Sequence, residues 1–311
     1  MKNIILFADP GIDDSVAIIY ALLNPDIKVL GIVSSYGNVG KKQATDNIAY
    51  LLKLADRTDI PIIGGSNSPS SGKIPTYYPE IHGKDGLGPI RPPENFAGEL
   101  TNFSTIYKII KENEDVTIVD VGRNTSLAAL YVLGEDIAKD VKEFYIMGGA
   151  FFVPGNVTPS AEANFYGDPI ASQLVVKDLD NLYIAPLNVT NKAIVTLEHI
   201  KTIQEMNGNP LVQIIDDVMT YYIDAYKKLI PGINGAPLHD VVTLSLMANP
   251  DMGKTIRRDV EVLTSGLGQG TSIADFRVSS KPAEKNINIY LELDYQKFIE
   301  DFIQVMTRKK G

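Results

Sequence analysis

Short runs of consecutive apolar residues alternate along the chain with stretches whose apolar positions recur at helical spacing. "NIILFA" (3–8) has the length of a buried strand, and "DDSVAIIYALL" (13–23) opens with acids and continues as an apolar helix. The order then repeats. "IKVLGIVSSY" (27–36) reads as a strand, and "KKQATDNIAYLLKLAD" (41–56) as a helix with Ala44, Ile48, Leu51, Leu52 and Leu54 mostly on one side; "IPIIGG" (60–65) is a strand again. "VTIVDVG" (116–122), "EFYIMGGA" (143–150) and "LYIAPLNVT" (182–190) continue the strand series, with "SLAALYVLG" (126–134) between the first two. Continuous Ile/Val runs separated by helices predict an α/β fold: an open, mostly parallel sheet covered by helices on both faces.

Two segments break the alternation. Residues 66–98, rich in Pro, Gly and Ser and containing "HGKDGLGPIRPP", have no clear period and are too long for an ordinary connection, which marks a functional loop. Residues 193–248 read as mainly helical insertions. Beyond them "DVEVLT" and "TSIADFRVS" flank "SGLGQG" as a C-terminal hairpin, and "NINIYLEL" is a last strand before a terminal helix. With no internal repeat and no low-complexity linker, one domain over 1–311 is the expectation.

Composition narrows the function classes. The formal net charge is −9, and basic residues are scattered apart from a C-terminal "RKK", which argues against a nucleic-acid partner. The chain has no Cys, so disulfides, thiolate catalysis and Cys-ligated metals are excluded. No apolar run approaches the roughly 20 residues of a membrane-spanning helix, and the N-terminus makes a poor signal peptide. A cytoplasmic protein with no membrane partner is expected.

Ligands of open α/β sheets bind beyond the carboxyl ends of the strands, and polar residues cluster there. The first strand leads into Asp9, Asp13 and Asp14, three carboxylates within six positions around a Pro10–Gly11 turn. Asp13 and Asp14 have ordinary alternatives as a helix cap and a helix-dipole partner. Asp9 ends an apolar strand, where an unpaired charge is costly, and Gly11 permits close approach of the backbone to a ligand. Such crowding suggests a hard divalent cation. Asp240, opening the apolar "GAPLHDVVTLSLMA", is the best further acid, with His239 beside it; Asn156, Glu162 and Asn164 in "FFVPGNVTPSAEANFYGDP" (151–169) suit the vicinal hydroxyls of a sugar.

With these motifs together the sequence resembles the inosine–uridine nucleoside hydrolase family over essentially its whole length. The matching pieces are "DPGIDDSVAI", "YGN" (36–38), "HGKDGLG" (82–88), "GRNTSLA" (122–128), "IMGGA" (146–150), "GNVTPSAEAN" (155–164) and "HD" (239–240). The resemblance implies a Rossmann-like nucleoside hydrolase fold, a Ca²⁺ site of Asp9, Asp14, Asp240 and the backbone carbonyl of Thr125, and ribose contacts from Asp13, Asn38, Asn156, Glu162 and Asn164, with Met147 lining the pocket. His239 falls where many members assist the departing base, and His82 near the base side. Members act on small-molecule ribonucleosides, a role in nucleoside salvage, and are commonly homodimers or homotetramers.

The chemistry agrees. N-ribosides cleave through an oxocarbenium-like transition state, which carboxylates around the sugar stabilise. Asp9 is the candidate base for the attacking water and His239 the candidate acid for the leaving base. Tyr222 and Tyr226, four residues apart, could line the base pocket or simply pack on a helix face. The absence of Trp argues against purine-specific members that stack the base between indoles. Three departures stand out: Phe7 where the family commonly has an acid, Ala163 where many have an aromatic, and "GRNTS" in place of "GPLTN". A non-catalytic ribose-binding protein and a hydrolase of another N-riboside are the alternatives; a haloacid-dehalogenase reading fails because Phe7 stands in the nucleophile's place if Asp9 is the second acid, and Gly11 in the second acid's place if Asp9 is the first.

Overall fold

Alternate residues of the first strand, β1 (Lys2–Ala8), enter two different apolar clusters, Ile4, Leu6 and Ala8 on one face and Ile5 and Phe7 on the other. A strand apolar on both faces needs cover on both. The computed structural model, which describes residues 1–93, 97–206, 209–281 and 283–308, supplies it. Ten further strands follow before the last: β2 (Ile27–Ser34), β3 (Ile62–Gly64), β4 (Val116–Asp120), β5 (Glu143–Met147), β6 (Leu182–Ala185), β7 (Ile194–Thr196), β8 (Gly235–Pro237), β9 (Gly253–Arg257), β10 (Val260–Val262) and β11 (Ser272–Ala274). With β12 (Ile287–Leu293), eight of them form one sheet in the order β3-β2-β1-β4-β5-β6-β12-β9. Every neighbouring pair in it is parallel except β12 with the edge strand β9.

Helices Ile12–Leu23, Lys41–Leu54, Pro210–Leu229, His239–Ala248 and Tyr295–Met306 join the Ile4 face; Thr105–Glu112, Thr125–Leu133 and Pro169–Asp178 join the Phe7 face. The helix after β1 and the helix after β4 therefore leave adjacent strands toward opposite faces. Their loops part at the carboxyl ends of β1 and β4, which opens the crevice where such sheets bind ligands.

Some boundaries differ from the sequence reading. The strand expected over 182–190 stops at Ala185, because Pro186 has no N–H for the ladder and the chain makes one helical turn, Leu187–Thr190. The region 193–248 is helical as expected, yet it also contributes the antiparallel pair β7–β8, and β9 was not anticipated. The hairpin is present as β10–β11, with Val260 opposite Ala274. The 66–98 segment is irregular where described, apart from the turn of helix Pro79–His82. Lys309 and Lys310 of the basic "RKK", and residues 94–96 of that segment, lie outside the described residues. Among the described residues no helix is long and apolar enough to cross a membrane.

Candidate active site

The turn after β1 buries its acids rather than exposing them: Asp9, Asp13 and Asp14 are at most 4% exposed. Asp14 reaches back over the start of its own helix and accepts hydrogen bonds from the N–H groups of Asp9 (3.0 Å) and Gly11 (3.2 Å). Asn38, in the loop after β2, ties the cluster together. Its backbone N–H donates to Asp9 Oδ2 (3.0 Å), and its side-chain amide donates to Asp14 Oδ2 (2.8 Å) and Asp9 Oδ1 (3.4 Å). The contact is so close that a Cβ on Gly37 would fall 1.3 Å from Asp9 Oδ2. Gly11 admits a close approach too, but its neighbour is the His82 ring, whose Nδ1 accepts from the Ile12 N–H (3.0 Å), and not a ligand.

Asp13 does not cap its own helix. Its Oδ2 accepts from the N–H groups of His239 (2.8 Å) and Asp240 (3.3 Å), so it caps the helix His239–Ala248, more than two hundred residues away in sequence. Asp13 Oδ1 is buried with no hydrogen-bond partner among the described residues. Burial pushes the carboxyls of Asp9, Asp13 and Asp240 well above the usual range; Asp14 adds to this for Asp9 and Asp13, and Asp13 adds to it for Asp240.

The second wall comes from the segment after β5. Glu162 caps the helix Ala163–Gly167, its carboxylate accepting from the N–H groups of Asn164 (2.7 Å), Phe165 (3.1 Å) and Gly149 (3.0 Å). Asn164 donates to the carbonyls of Val121 (3.0 Å) and Met147 (3.2 Å), and Asn156 accepts from Ala163 N–H (2.9 Å). These polar groups are locked by backbone before any ligand arrives.

At the third wall, His239 Nε2 lies 3.2 Å from the Tyr226 hydroxyl and Nδ1 lies 2.7 Å from Thr190 Oγ1. Tyr222 packs edge-on against Tyr226 (4.9 Å between ring centroids) and is stacked with His82 (5.9 Å). Burial lowers both imidazoles to about 4, so both are neutral at neutral pH. Thr190 was not among the sequence candidates; its only signal was a polar residue following a strand.

Eleven of the fourteen candidate residues line one cavity of about 930 Å³: Asp13, Asn38, His82, Met147, Asn156, Glu162, Asn164, Tyr222, Tyr226, His239 and Asp240. Asp9, Asp14 and Thr125 are not in its lining. The first two are joined to it through Asn38. Thr125 begins the helix after β4, and its hydroxyl donates to Asp168 Oδ2 (2.7 Å) and contacts the Tyr36 hydroxyl (2.9 Å). A second residue missed by the sequence reading, besides Thr190, is Asp168, fully buried, which also accepts from Ser70 N–H and Oγ and from Ala171 N–H.

Among the described residues no three His, Asp or Glu side chains are already arranged to hold a metal ion. The donor chemistry nevertheless fits a hard cation: Asp9, Asp13, Asp14 and Asp240 crowd together buried, and Asp13 Oδ1 has no partner. One built-in positive charge faces Asp9, the buried Arg123 of "GRNTS". The acid absent at Phe7 has a counterpart one strand away. Phe7 pairs with Asp120 in register, and Asp120 is buried, accepts from Gly122 N–H and Asn124 Nδ2, and is pushed up to about 8 by burial.

Comparison with known proteins places this geometry. The family profile described as inosine-uridine preferring nucleoside hydrolase matches residues 4–300. The pyrimidine-specific ribonucleoside hydrolase RihA of Escherichia coli O8 (strain IAI1) is 34% identical over 303 residues, 96% of each chain. Among solved structures, a purine-preferring ribonucleoside hydrolase from Gardnerella vaginalis superposes with a TM-score of 0.91 at 26% identity over 98% of each chain. A plant nucleoside hydrolase, PpNRh1, does so with 0.91 at 27% identity over 99% of each. The chain belongs to the inosine-uridine preferring nucleoside hydrolase family and is a nucleoside N-ribohydrolase.

Proposed function

We propose that this enzyme hydrolyses pyrimidine ribonucleosides ahead of purine ones, giving ribose and free base, with Ca²⁺ held by Asp9, Asp14, Asp240 and the Thr125 carbonyl. The observation that carries the reading is the single cavity in which Asp13, Asp240, Glu162 and Asn164 adjoin the Tyr226–His239 pair. It joins groups that stabilise positive charge on a sugar to groups that can pass a proton to a leaving base. The pyrimidine preference rests on the 34% identity to a relative so named and on a base wall of tyrosines in a chain without Trp.

Bound Ca²⁺ supplies orientation of the attacking water and a lowered pKa for it. Asp9, whose burial raises its proton affinity, takes the water's proton. Asp13, Asn38, Asn156, Glu162 and Asn164 hold the ribose hydroxyls, and the buried carboxylates stabilise the oxocarbenium-like charge. Because His239 is neutral, its role is to relay a proton: hydroxyls stand at both ring nitrogens, so either tautomer has a partner. Tyr226 completes the path to the base.

Ribose release from uridine, cytidine, inosine and adenosine, with added Ca²⁺ and after chelation, tests this directly. The expected result is fastest release from the two pyrimidine nucleosides and loss of release on chelation or in Asp9→Ala. Release that persists without metal rejects the cation assignment, and inosine outrunning uridine rejects the base preference.

A further inference from the structure

A second cavity of about 150 Å³ adjoins the first, sharing Thr76, Tyr78 and Tyr166 with it. At about 30 Å³ per water, that is room for about five waters. Its lining contains Arg123 and Lys73 together with Ser71, Thr264 and Gln269, and no Asp or Glu. Two cations and no carboxylate line it, while the charge of Arg123 also acts on the buried Asp9 and Glu162 of the main site.

Arg123 has donor capacity that the described residues do not use. It is 3% exposed, its Nε is buried without a hydrogen-bond partner, and its one short polar contact is Nη2 to the Gly37 carbonyl at 3.4 Å. Among the described residues it forms no ion pair. The guanidinium is fixed between the rings of Tyr36 (6.0 Å) and Tyr78 (5.9 Å), and the space a Cβ on Gly167 would need is filled by the arginine itself. A planar fork of donors, desolvated and with one N–H unused, is the group that recognises phosphate. Lys73 Nζ, now 3.3 Å from Gln269 Oε1, is a second, movable charge at the same opening.

We propose that this side cavity is an anion subsite for the phosphate of a riboside 5′-phosphate, so that the substrate class extends from nucleosides to pyrimidine ribonucleoside 5′-monophosphates. This rests on the ribose assignment of Asn156, Glu162 and Asn164, since the two cavities share the wall at Tyr166 in the same segment. The reaction is the same hydrolysis. Water oxygen bonds to C1′ and loses a proton to Asp9, the C1′–N bond breaks with its electron pair going to the base nitrogen, and that nitrogen takes a proton. The products are ribose 5-phosphate and free base.

The test measures binding by calorimetry and sugar release for uridine and uridine 5′-monophosphate, in the full chain and in Lys73→Met and Arg123→Met. The nucleotide should bind at least about tenfold tighter than uridine, and each variant should cut nucleotide affinity by about 10- to 100-fold, as loss of a charge-assisted hydrogen bond does. Lys73→Met, at an exposed position, should leave uridine binding within about threefold. Nucleotide binding no tighter than uridine, or unaffected by Lys73→Met, overturns the proposal. So does inorganic phosphate binding lost in both variants while the nucleotide gains nothing, which makes the cavity a free-anion site. Binding of the nucleotide with the expected variant losses but no sugar release from either compound keeps the subsite and rejects the hydrolase chemistry instead.

Discussion

His239 has a hydroxyl at each ring nitrogen and a proton affinity lowered to about 4 by burial. His239→Ala should therefore lower kcat by about 10²- to 10⁴-fold without abolishing turnover, the range for one positioned proton-transfer group. Asp9→Ala should cost more, because in the proposed mechanism the same residue serves water and cation; single-turnover rates of the two variants give the order. The imidazole also sets a stability slope. Unfolded, it titrates near 6.5, so between about 6.5 and about 4 the unfolded chain binds the extra proton and folding stability falls as pH drops. His239→Gln removes that penalty, so its melting temperature relative to the parent should rise as pH is lowered through this window. Gly37→Ala acts by sterics alone: with 1.3 Å between the new Cβ and Asp9 Oδ2, the carboxylate must move, and activity should fall at least about 100-fold as for a misplaced catalytic group, read as kcat at unchanged circular dichroism.

Among elements, the turn joining helices Ala163–Gly167 and Pro169–Asp178 does the most with one side chain. Asp168 caps the second helix and at the same time pins Ser70 of the long irregular segment and Thr125 of the helix after β4. Asp168→Ala leaves those donors unpaired, and should lower stability by about 2–4 kcal/mol, measured by urea unfolding, and speed proteolysis within 66–98. The element boundaries show why patterns misread this chain in places. Pro186 ends β6 early because it offers no N–H, a stop signal present in "LYIAPLNVT" but overridden there by the apolar run. β7, β8 and β9 are short pieces whose partners lie far away in sequence, and no local period announces them.

For the molecule as a whole, four buried acids concentrated at one crevice give a repulsion that the proposed cation would relieve. Ca²⁺ should raise the melting temperature, by free energy of about 2.7 kcal/mol at a hundredfold excess over Kd, and chelation should reverse it. No shift on Ca²⁺ addition would count against a cation at this crevice, whatever the activity. The burial of Asp9, Asp13 and Asp240 makes the same point in protons: their raised proton affinity means folding costs more as pH rises above the ordinary carboxylate range, a cost the proposed cation would offset.

Sequence by itself determined the sheet-and-helix alternation, the polar rim after the strands and most of the acids and amides of the cavity lining, because periodicity and residue chemistry are local properties. "DPGIDD", "AEAN" and "HD" carried the chemical types needed at that rim. Tertiary structure decided which partner each group has. Asp13 caps a helix that begins at His239, Gly11 accommodates His82, and Arg123 lies against two tyrosine rings with its Nε unpartnered among the described residues. Those pairings follow from the switch point between β1 and β4, which sends the helices after these two strands to opposite faces and folds distant loops onto one crevice. Strand order and desolvation are properties of the packed chain, so no reading of one segment at a time contains them.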